Sequence, residues 1–332
     1  MWNAVQCAVR GRGHEKTDIP CQDKTAFAAE NGVQVIALAD GAGSAKLSHY
    51  GAEAVTRHIC SLLCSRFGQY FSNKDGVSVK QELLDETGGC LRSLADQLGC
   101  EVRDLASTLL FVAVCGEHFI MAHIGDGVIG YLKNGELKVA SQPENGEFAN
   151  TTVFTTSREA LLTMRLFKGS LGPIQGFVLM SDGTEASLYD KREHRLAGVL
   201  KRIMGMAAII PPAKVEAQLK QSFEQVVKAA TTDDCSIALL TCVRKDFSGY
   251  AHLSRAQKCR LLQINPLSPK RRLRRYDQIL CFLQEGRTLT QTARRLCLKP
   301  KYAKRYLDRL QALSLVEKEG LRYHTLLILE KS

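Results

Sequence analysis

No run of about 18 consecutive apolar residues occurs in this 332-residue chain, so no transmembrane helix is expected. Its first residues, Met1-Trp-Asn-Ala-Val5, lack the basic start and apolar stretch of a secretory signal. No Cys-x-x-Cys pair occurs either. The twelve cysteines stand singly in apolar runs such as Val112-Ala-Val-Cys115, and the nearest two, Cys60 and Cys64, are one helical turn apart. That usage argues against a disulfide framework and for a reduced, cytoplasmic chain without membrane contact. Internal repeats and low-complexity tracts are absent as well. What is present, 45% hydrophobic and 24% charged residues, excludes wholesale disorder, and the length calls for more than one core.

Acidic residues are scarce in only one part of the chain. Residues 255–332 hold 19 Lys and Arg against 6 Asp and Glu, a net of +13. Residues 1–254 hold the remaining 26 basic and 28 acidic residues, a net of −2. The neutral part and the basic part are expected to be separate domains, the second directed at a polyanion.

Within the neutral part, strands are expected at 4–9, 33–39, 108–115, 118–124, 128–132, 137–140, 177–180 and 236–242. Ala52, Val55, Ile59, Leu62 and Phe67 recur at helical spacing, and Leu83, Leu84, Leu91, Leu94 and Leu98 do so more loosely. A third helix is expected over 212–230, with Pro212 at its start. The short connections among 118–140 favour antiparallel meanders and a layered α+β domain over a doubly wound parallel sheet.

The placement of aspartates carries the chemistry. Asp40, Asp126 and Asp182 each follow an apolar run and each has glycine beside it; Asp233 and Asp234 directly precede the last strand. Asp-Gly is a common turn dipeptide, but three of them at strand ends can bring carboxylates to one rim of a sheet. Such a rim cannot ionise fully without a cation, and oxygen ligands select Mg²⁺ or Mn²⁺.

The ordered set Cys21-Gln-Asp23, Asp40-Gly-Ala-Gly-Ser44, Gly125-Asp-Gly127, Ser181-Asp-Gly183 and Asp233-Asp-Cys-Ser236 resembles the type-2C (PPM) metal-dependent serine/threonine protein phosphatases. Gly11-Arg-Gly-His14 and Gly146-Glu-Phe-Ala-Asn-Thr-Thr152 extend the likeness to a bacterial subgroup, so that it covers about residues 5–243. The resemblance implies an α-β-β-α sandwich with two Mn²⁺ or Mg²⁺ ions at one end and a weak third. By that resemblance Asp40 would bridge the ions, Gly41 would offer its carbonyl, Asp182 and Asp233 would complete the first shell, Asp23 would steady it, and Asp126 would serve the third ion. Two ions about 4 Å apart can activate water for attack on a phosphoryl group without a covalent intermediate.

The chain departs from the family at several points. No arginine precedes the first acidic motif, which leaves His14 or Lys16 to grip phosphate. Ala42 stands where many members have a histidine to protonate the leaving alkoxide. Ala186 stands where another Asp is common, with Glu185 as the available substitute. His123 reads as a core or neighbouring residue, His49 as a helix-start surface residue, Cys60 and Cys64 as packing, and Asn150 with Thr152 as parts of a substrate loop. Asp40, Asp182 and His14 are the expected catalytic residues.

After a linker at 246–270, residues 271–332 are expected to form a basic domain of three helices and a hairpin turning at Gly320. The order resembles a winged helix-turn-helix. In its third helix Ala303, Leu307 and Leu310 form an apolar stripe, with Lys301, Lys304 and Arg305 facing away. Arg271, Arg272, Arg274 and Arg275 could track a phosphate backbone. Duplex DNA and a protein surface both fit such a face. The whole reads as a phosphatase, acting on phosphoproteins of a bacterial Ser/Thr kinase, fused to this module. The rival reading is a catalytically degenerate phosphatase fold regulating a DNA-binding domain.

Overall fold

An apolar run such as residues 35–39 must be covered on both faces, and two stacked sheets with flanking helices do this. The computed structural model describes residues 2–143, 152–208, 212–243, 250–251, 253–313, 315–325 and 327. The chain divides into two compact units, Met1–Lys201 with Pro212–Cys242, and Arg202–Pro211 with Val243–Ser332.

In the larger unit the first strands are β1 (Trp2–Val9), β2 (Lys24–Glu30), β3 (Val33–Ala39), β4 (Leu109–Cys115), β5 (His118–Ile124) and β6 (Val128–Lys133). They are followed by β7 (Glu136–Ser141), β8 (Arg165–Ser170), β9 (Ile174–Met180), the short pair β10 (Tyr189–Asp190) and β11 (Arg195–Leu196), and β12 (Cys235–Cys242). One sheet has the order β1-β12-β9-β6-β7 and the other β2-β3-β4-β5-β8. All pairings are antiparallel.

Side chains alternate across a strand, so β3 feeds two cores. Ile36 and Leu38 meet Leu110, Val112, Phe177, Leu179 and Leu240 between the sheets. Val35 and Ala37 face the long helix α2 (Ser48–Ser72, following α1 at Arg12–Thr17) and α3 (Gly76–Leu98). Val55, Ile59, Leu62, Leu63 and Phe67 of α2 are buried there. At roughly 2 kcal/mol each they contribute on the order of 10 kcal/mol before the entropy of ordering them. Asp75 caps α3 by accepting from the Val77 and Ser78 amides, and Gly99 ends it at φ +65°.

The outer face of the other sheet is covered by the helical stretch that runs from Pro212–Ser222 through Phe223–Val227 to Lys228–Ala230. Val215 and Leu219 are buried, and Glu216 accepts from the Gln6 amide (3.1 Å). The layers are therefore helix, sheet, sheet, helix. Two strands of the main sheets were not expected from the sequence, nor was the short pair β10 and β11. β2 and β8 lie at opposite edges of one sheet, where half-buried positions need no apolar run.

The smaller unit contains helices Arg255–Leu261, Lys270–Phe282, Leu289–Arg295 and Pro300–Ala312. Strands β13 (Arg287–Thr288), β14 (Val316–Glu319) and β15 (Arg322–Thr325) form a sheet of order β13-β15-β14, and β13 was not anticipated. Thr288 caps its helix through a reciprocal pair with Gln291 (3.2 and 2.9 Å).

The linker expected at 246–270 is corrected here. It contains helix Arg255–Leu261, and Tyr250, Leu253, Cys259, Leu262 and Ile264 are buried in the unit. The Tyr250 hydroxyl donates to Asp277 on the next helix (2.6 Å). Apolar residues between polar ones, not the two prolines, decide the boundary. No helix among the described residues is long and apolar enough to cross a membrane, and all twelve cysteines are free thiols.

Candidate metal centre

Strand register brings the acidic motifs together. In one sheet Lys24 pairs with Ala39, Leu38 with Leu110 and Leu109 with Ile124, so the end of β3 lies beside the starts of β2 and β4 and the end of β5. In the other, Val9 pairs with Cys235, Ile237 with Met180 and Val128 with Met180. Asp23, Asp40 and Asp126 thus leave from one edge, and Asp126, Asp182 and Asp233 from the matching edge. The β5–β6 connection that carries Asp126 joins the two.

Local contacts hold each motif. The Asp40 amide donates to Thr108 Oγ1 and its carbonyl accepts from the Thr108 amide (both 2.8 Å). Gly41 donates to the Gln22 carbonyl (3.3 Å) and pairs with Ser107. A Cβ at Gly41 would stand 2.8 Å from Ser48, whose hydroxyl accepts from the Gln22 amide group (2.7 Å), so only glycine lets this backbone in. Asp182 opens α5 (Asp182–Leu188; α4 is Ala160–Thr163) and accepts from the Gly183 amide (2.6 Å). A Cβ at Gly183 would lie 2.0 Å from the Asp234 carbonyl. That contact locks two motifs distant in sequence. Thr152 donates to Asp126 (2.6 Å).

The electrostatics report the convergence. Burial first, then the charges of Asp23, Asp182, Asp233 and Asp126, hold the Asp40 carboxyl well above its ordinary range. Asp182 is pushed up to about 6 by burial, Asp126 and Asp233, offset in part by hydrogen bonds from Gly183 and Asp40. Asp23 is pushed up to about 7 by burial and Asp234, against the lowering effect of the Ser181 and Ser236 hydroxyls beside it. Asp23 Oδ2 is itself buried without a hydrogen-bond partner.

Among the described residues no three acidic, His or Cys side chains close on one point as a preformed cage. What the rim offers is a set of all-oxygen, mutually repelling carboxylates with one orphaned buried oxygen. The donor set suits a hard divalent cation and nothing softer.

Several expected roles change. His14 Nδ1 lies 3.0 Å from Asp234, a buried carboxylate that also accepts from the Gly11 and Gln22 amides (2.6 Å each). On this nitrogen His14 faces Asp234. Asp234, Thr108, Ser181 and Ser236 are the residues the sequence reading missed as supports; only burial separates Asp234 from its neighbour Asp233, which is exposed. Ala42 is buried with Ala45 and Ala106 against Phe154, which leaves its site filled. Glu185 is buried and pairs with Lys191 (2.6 Å), away from the role of an extra ligand.

His123 is fully buried, its Nδ1 2.8 Å from the Ser141 hydroxyl, and burial with Arg165 nearby lowers its pKa to about 3, so it stays neutral. His49 is the second residue of α2 and stacks on Tyr50 (4.2 Å). Cys60 and Cys64 are buried on the core face of α2. Asn150 and most of the 146–152 segment lie outside the described residues.

A model of the protein phosphatase 2C family matches residues 10–224, and the chain belongs to that family of protein serine/threonine phosphatases. Serine/threonine-protein phosphatase 3 of Escherichia coli K12 is 26% identical over 197 residues, 55% of this chain and 74% of that protein. A bacterial serine phosphatase crystal structure aligns with TM-score 0.52 at 15% identity, covering 73% of this chain and 98% of the other. Stp1 from Staphylococcus aureus aligns with TM-score 0.51 at 16% identity, covering 73% and 95%. These two share the fold. Asp233 and Asp234 lie past the matched stretch and rest on the geometry above.

Proposed function

We propose that the rim hydrolyses phosphoserine and phosphothreonine in proteins with two bound Mn²⁺ or Mg²⁺ ions. The observation that carries this reading is the convergence of Asp40, Asp182 and Asp23 at the strand ends, where burial and mutual repulsion raise their pKa values and a bound divalent cation would relieve that repulsion. Asp40, Asp182, Asp233 and the Gly41 carbonyl would hold the ions, Asp23 would steady them, and Asp126 with Thr152 would serve a weaker third. When bound, such ions lower the pKa of water and neutralise charge on phosphoryl oxygens. The chain's own part is to hold these carboxylates in register through Thr108, Gly41 and Gly183. His14 acts through Asp234 on the loop beside the rim. With Ala42 buried and no imidazole there, the leaving alkoxide takes its proton from water, so aryl phosphates should be favoured over alkyl ones.

The test is hydrolysis of a phosphothreonine peptide with Mn²⁺, in chelator, and after metal is restored. Asp40→Asn and Asp182→Asn should each lower turnover by roughly three orders of magnitude or more, about 4 kcal/mol of transition-state stabilisation. Wild-type rates in either variant would sink the assignment.

For the smaller unit the proposal is a winged helix that binds duplex DNA. Ala303, Leu307 and Leu310 are buried while Lys301, Lys304 and Arg305 are exposed on the same helix, and Arg271, Arg272 and Arg274 are exposed with Arg275 half-buried on another. That division suits base-edge contacts from one helix and phosphate contacts from the other. Anisotropy of the full chain on a labelled duplex, in chelator, should show affinity falling steeply with salt. Arg271→Gln with Arg274→Gln should reduce the log–log salt slope by about 1.8. An unchanged slope would move this surface to a protein partner.

A further inference from the structure

The smaller unit has a cleft of about 570 Å³ that no phosphatase chemistry requires. It is walled by Arg272 and Arg275 of helix Lys270–Phe282 and by Arg305 and Arg309 of helix Pro300–Ala312. Tyr276, Tyr302 and Tyr306 supply ring surface, and no carboxylate lines it. The volume falls within the range of small-ligand clefts, roughly 300–1,000 Å³.

The four arginines are not equivalent. Arg309 is occupied: it donates to the Leu262 carbonyl (2.9 Å) and to that of Gln263, and so fastens the cleft floor to the preceding segment. Arg272, Arg275 and Arg305 form no ion pair among the described residues. Three guanidiniums facing one space without a counter-charge repel each other, and an anion with several oxygens relieves that repulsion through paired hydrogen bonds. The rings are arranged differently. Tyr276 and Tyr306 pack edge to face on each other (4.9 Å), whereas Tyr302 is exposed, with the Lys301 ammonium 5.1 Å and the Arg305 guanidinium 5.7 Å from its ring. An exposed ring beside a guanidinium offers a stacking face for a flat, electron-rich group.

We propose that this cleft binds a free nucleotide carrying at least two phosphates, with the phosphates on Arg272, Arg275 and Arg305 and the base on Tyr302. A duplex is too wide to enter a cleft of this volume, and a bare phosphate would leave the rings unused. The site is distinct from the carboxylate rim and stands whether or not the phosphatase reading holds; a duplex lying on Arg272, Arg275 and Arg305 would compete with the nucleotide.

The test uses the full chain in chelator, so that the rim takes up no phosphate, with calorimetry of ADP, ATP, adenosine and pyrophosphate. ADP and ATP should bind saturably, adenosine and pyrophosphate each about tenfold or more weaker, since each lacks one set of contacts. Arg275→Gln and Arg305→Gln should each weaken ADP about tenfold, the loss of one charge-assisted hydrogen bond. Tyr302→Ala should weaken ADP at least about fivefold without affecting pyrophosphate, while Tyr302→Phe retains wild-type binding. All variants are checked for the wild-type far-UV spectrum and melting curve. No saturable nucleotide binding by the folded wild-type chain would overturn the proposal. So would ADP affinity indifferent to Tyr302→Ala, or a single-stranded oligonucleotide binding more tightly than ADP through the same residues.

Discussion

In the larger unit a few aspartates are crowded where strands end; in the smaller unit basic side chains are spread over exposed helix faces. Residues 1–254 carry a net of −2, yet burial and mutual repulsion raise the pKa of three of their carboxylates, Asp23, Asp40 and Asp182. Residues 255–332 carry +13, and most of that charge is solvated. The contrast shows that net charge and local repulsion are separate quantities. A formally balanced domain can hold the tighter ion site, because burial rather than charge count sets the cost of ionising.

The comparison can be broken most severely within the acidic set itself. Asp40 is held among like charges, whereas Asp234 accepts from two backbone amides and pairs with His14. In chelator, Asp40→Asn should therefore leave the melting temperature of the larger unit unchanged or raise it. Asp234→Ala should destabilise the same unit by about 3 kcal/mol, since it strands two buried donors. Thermal or denaturant unfolding followed in the larger unit distinguishes them. Equal destabilisation by both would mean that Asp40 is also a structural acceptor and that the rim is not strained.

A second effect, intermediate in size, concerns pH. The folded-state pKa values of Asp182 and Asp23, about 6 and about 7, lie above those of an unfolded carboxyl, as does that of Asp40. The metal-free folded chain thus binds more protons than the unfolded one, so its stability is greatest at low pH and falls as pH rises through these values. Melting in chelator should drop between about pH 5 and about pH 8. Mn²⁺ should raise it more at the higher pH, because the ion displaces protons. The smaller unit has no such carboxylate cluster among its described residues and should melt alike at both. A metal-induced rise equal at both pH values would show that the carboxylates are already ionised.

What could be read beforehand follows the same physics. β3 and β5 have the bounds expected from sequence, because strands covered on both faces are written as unbroken apolar runs. β2 and β8 were missed because all their positions are half-buried or exposed, so neither carries a buried apolar run. Asp40, Asp126, Asp182 and Asp233 were identifiable from their place after or before those runs. Their convergence was not, since it depends on antiparallel register across two sheets. Nor could sequence say that Asp234 is the anchor and Asp233 the rim residue: adjacent and chemically identical, they differ only in which way the backbone turns them. The segment 250–264 was misread for a related reason. Its buried Tyr250, Leu253 and Leu262 are too irregularly spaced to announce a core.

That misreading supplies the smallest effect, that of Tyr250→Phe, confined to the other side of the comparison. If 250–264 belongs to the smaller unit's core, Tyr250 is structural there: it is buried and donates to Asp277 (2.6 Å), with Lys258 4.5 Å from its ring and 3.7 Å from the same Asp277. Tyr250→Phe keeps the ring and removes the donor, leaving Asp277 to Lys258 alone. The expected cost is about 1 kcal/mol, that of one hydrogen bond to a half-exposed carboxylate. Tyr250→Ala should cost about 3 kcal/mol or more by opening a cavity. Both losses should fall on the smaller unit's transition, with Mn²⁺-dependent phosphatase turnover unchanged, because the acidic rim lies wholly within the larger unit. Hydrogen exchange of helix Lys270–Phe282 locates the loss. Unaltered exchange there in Tyr250→Ala would return residues 250–264 to the status of a tether.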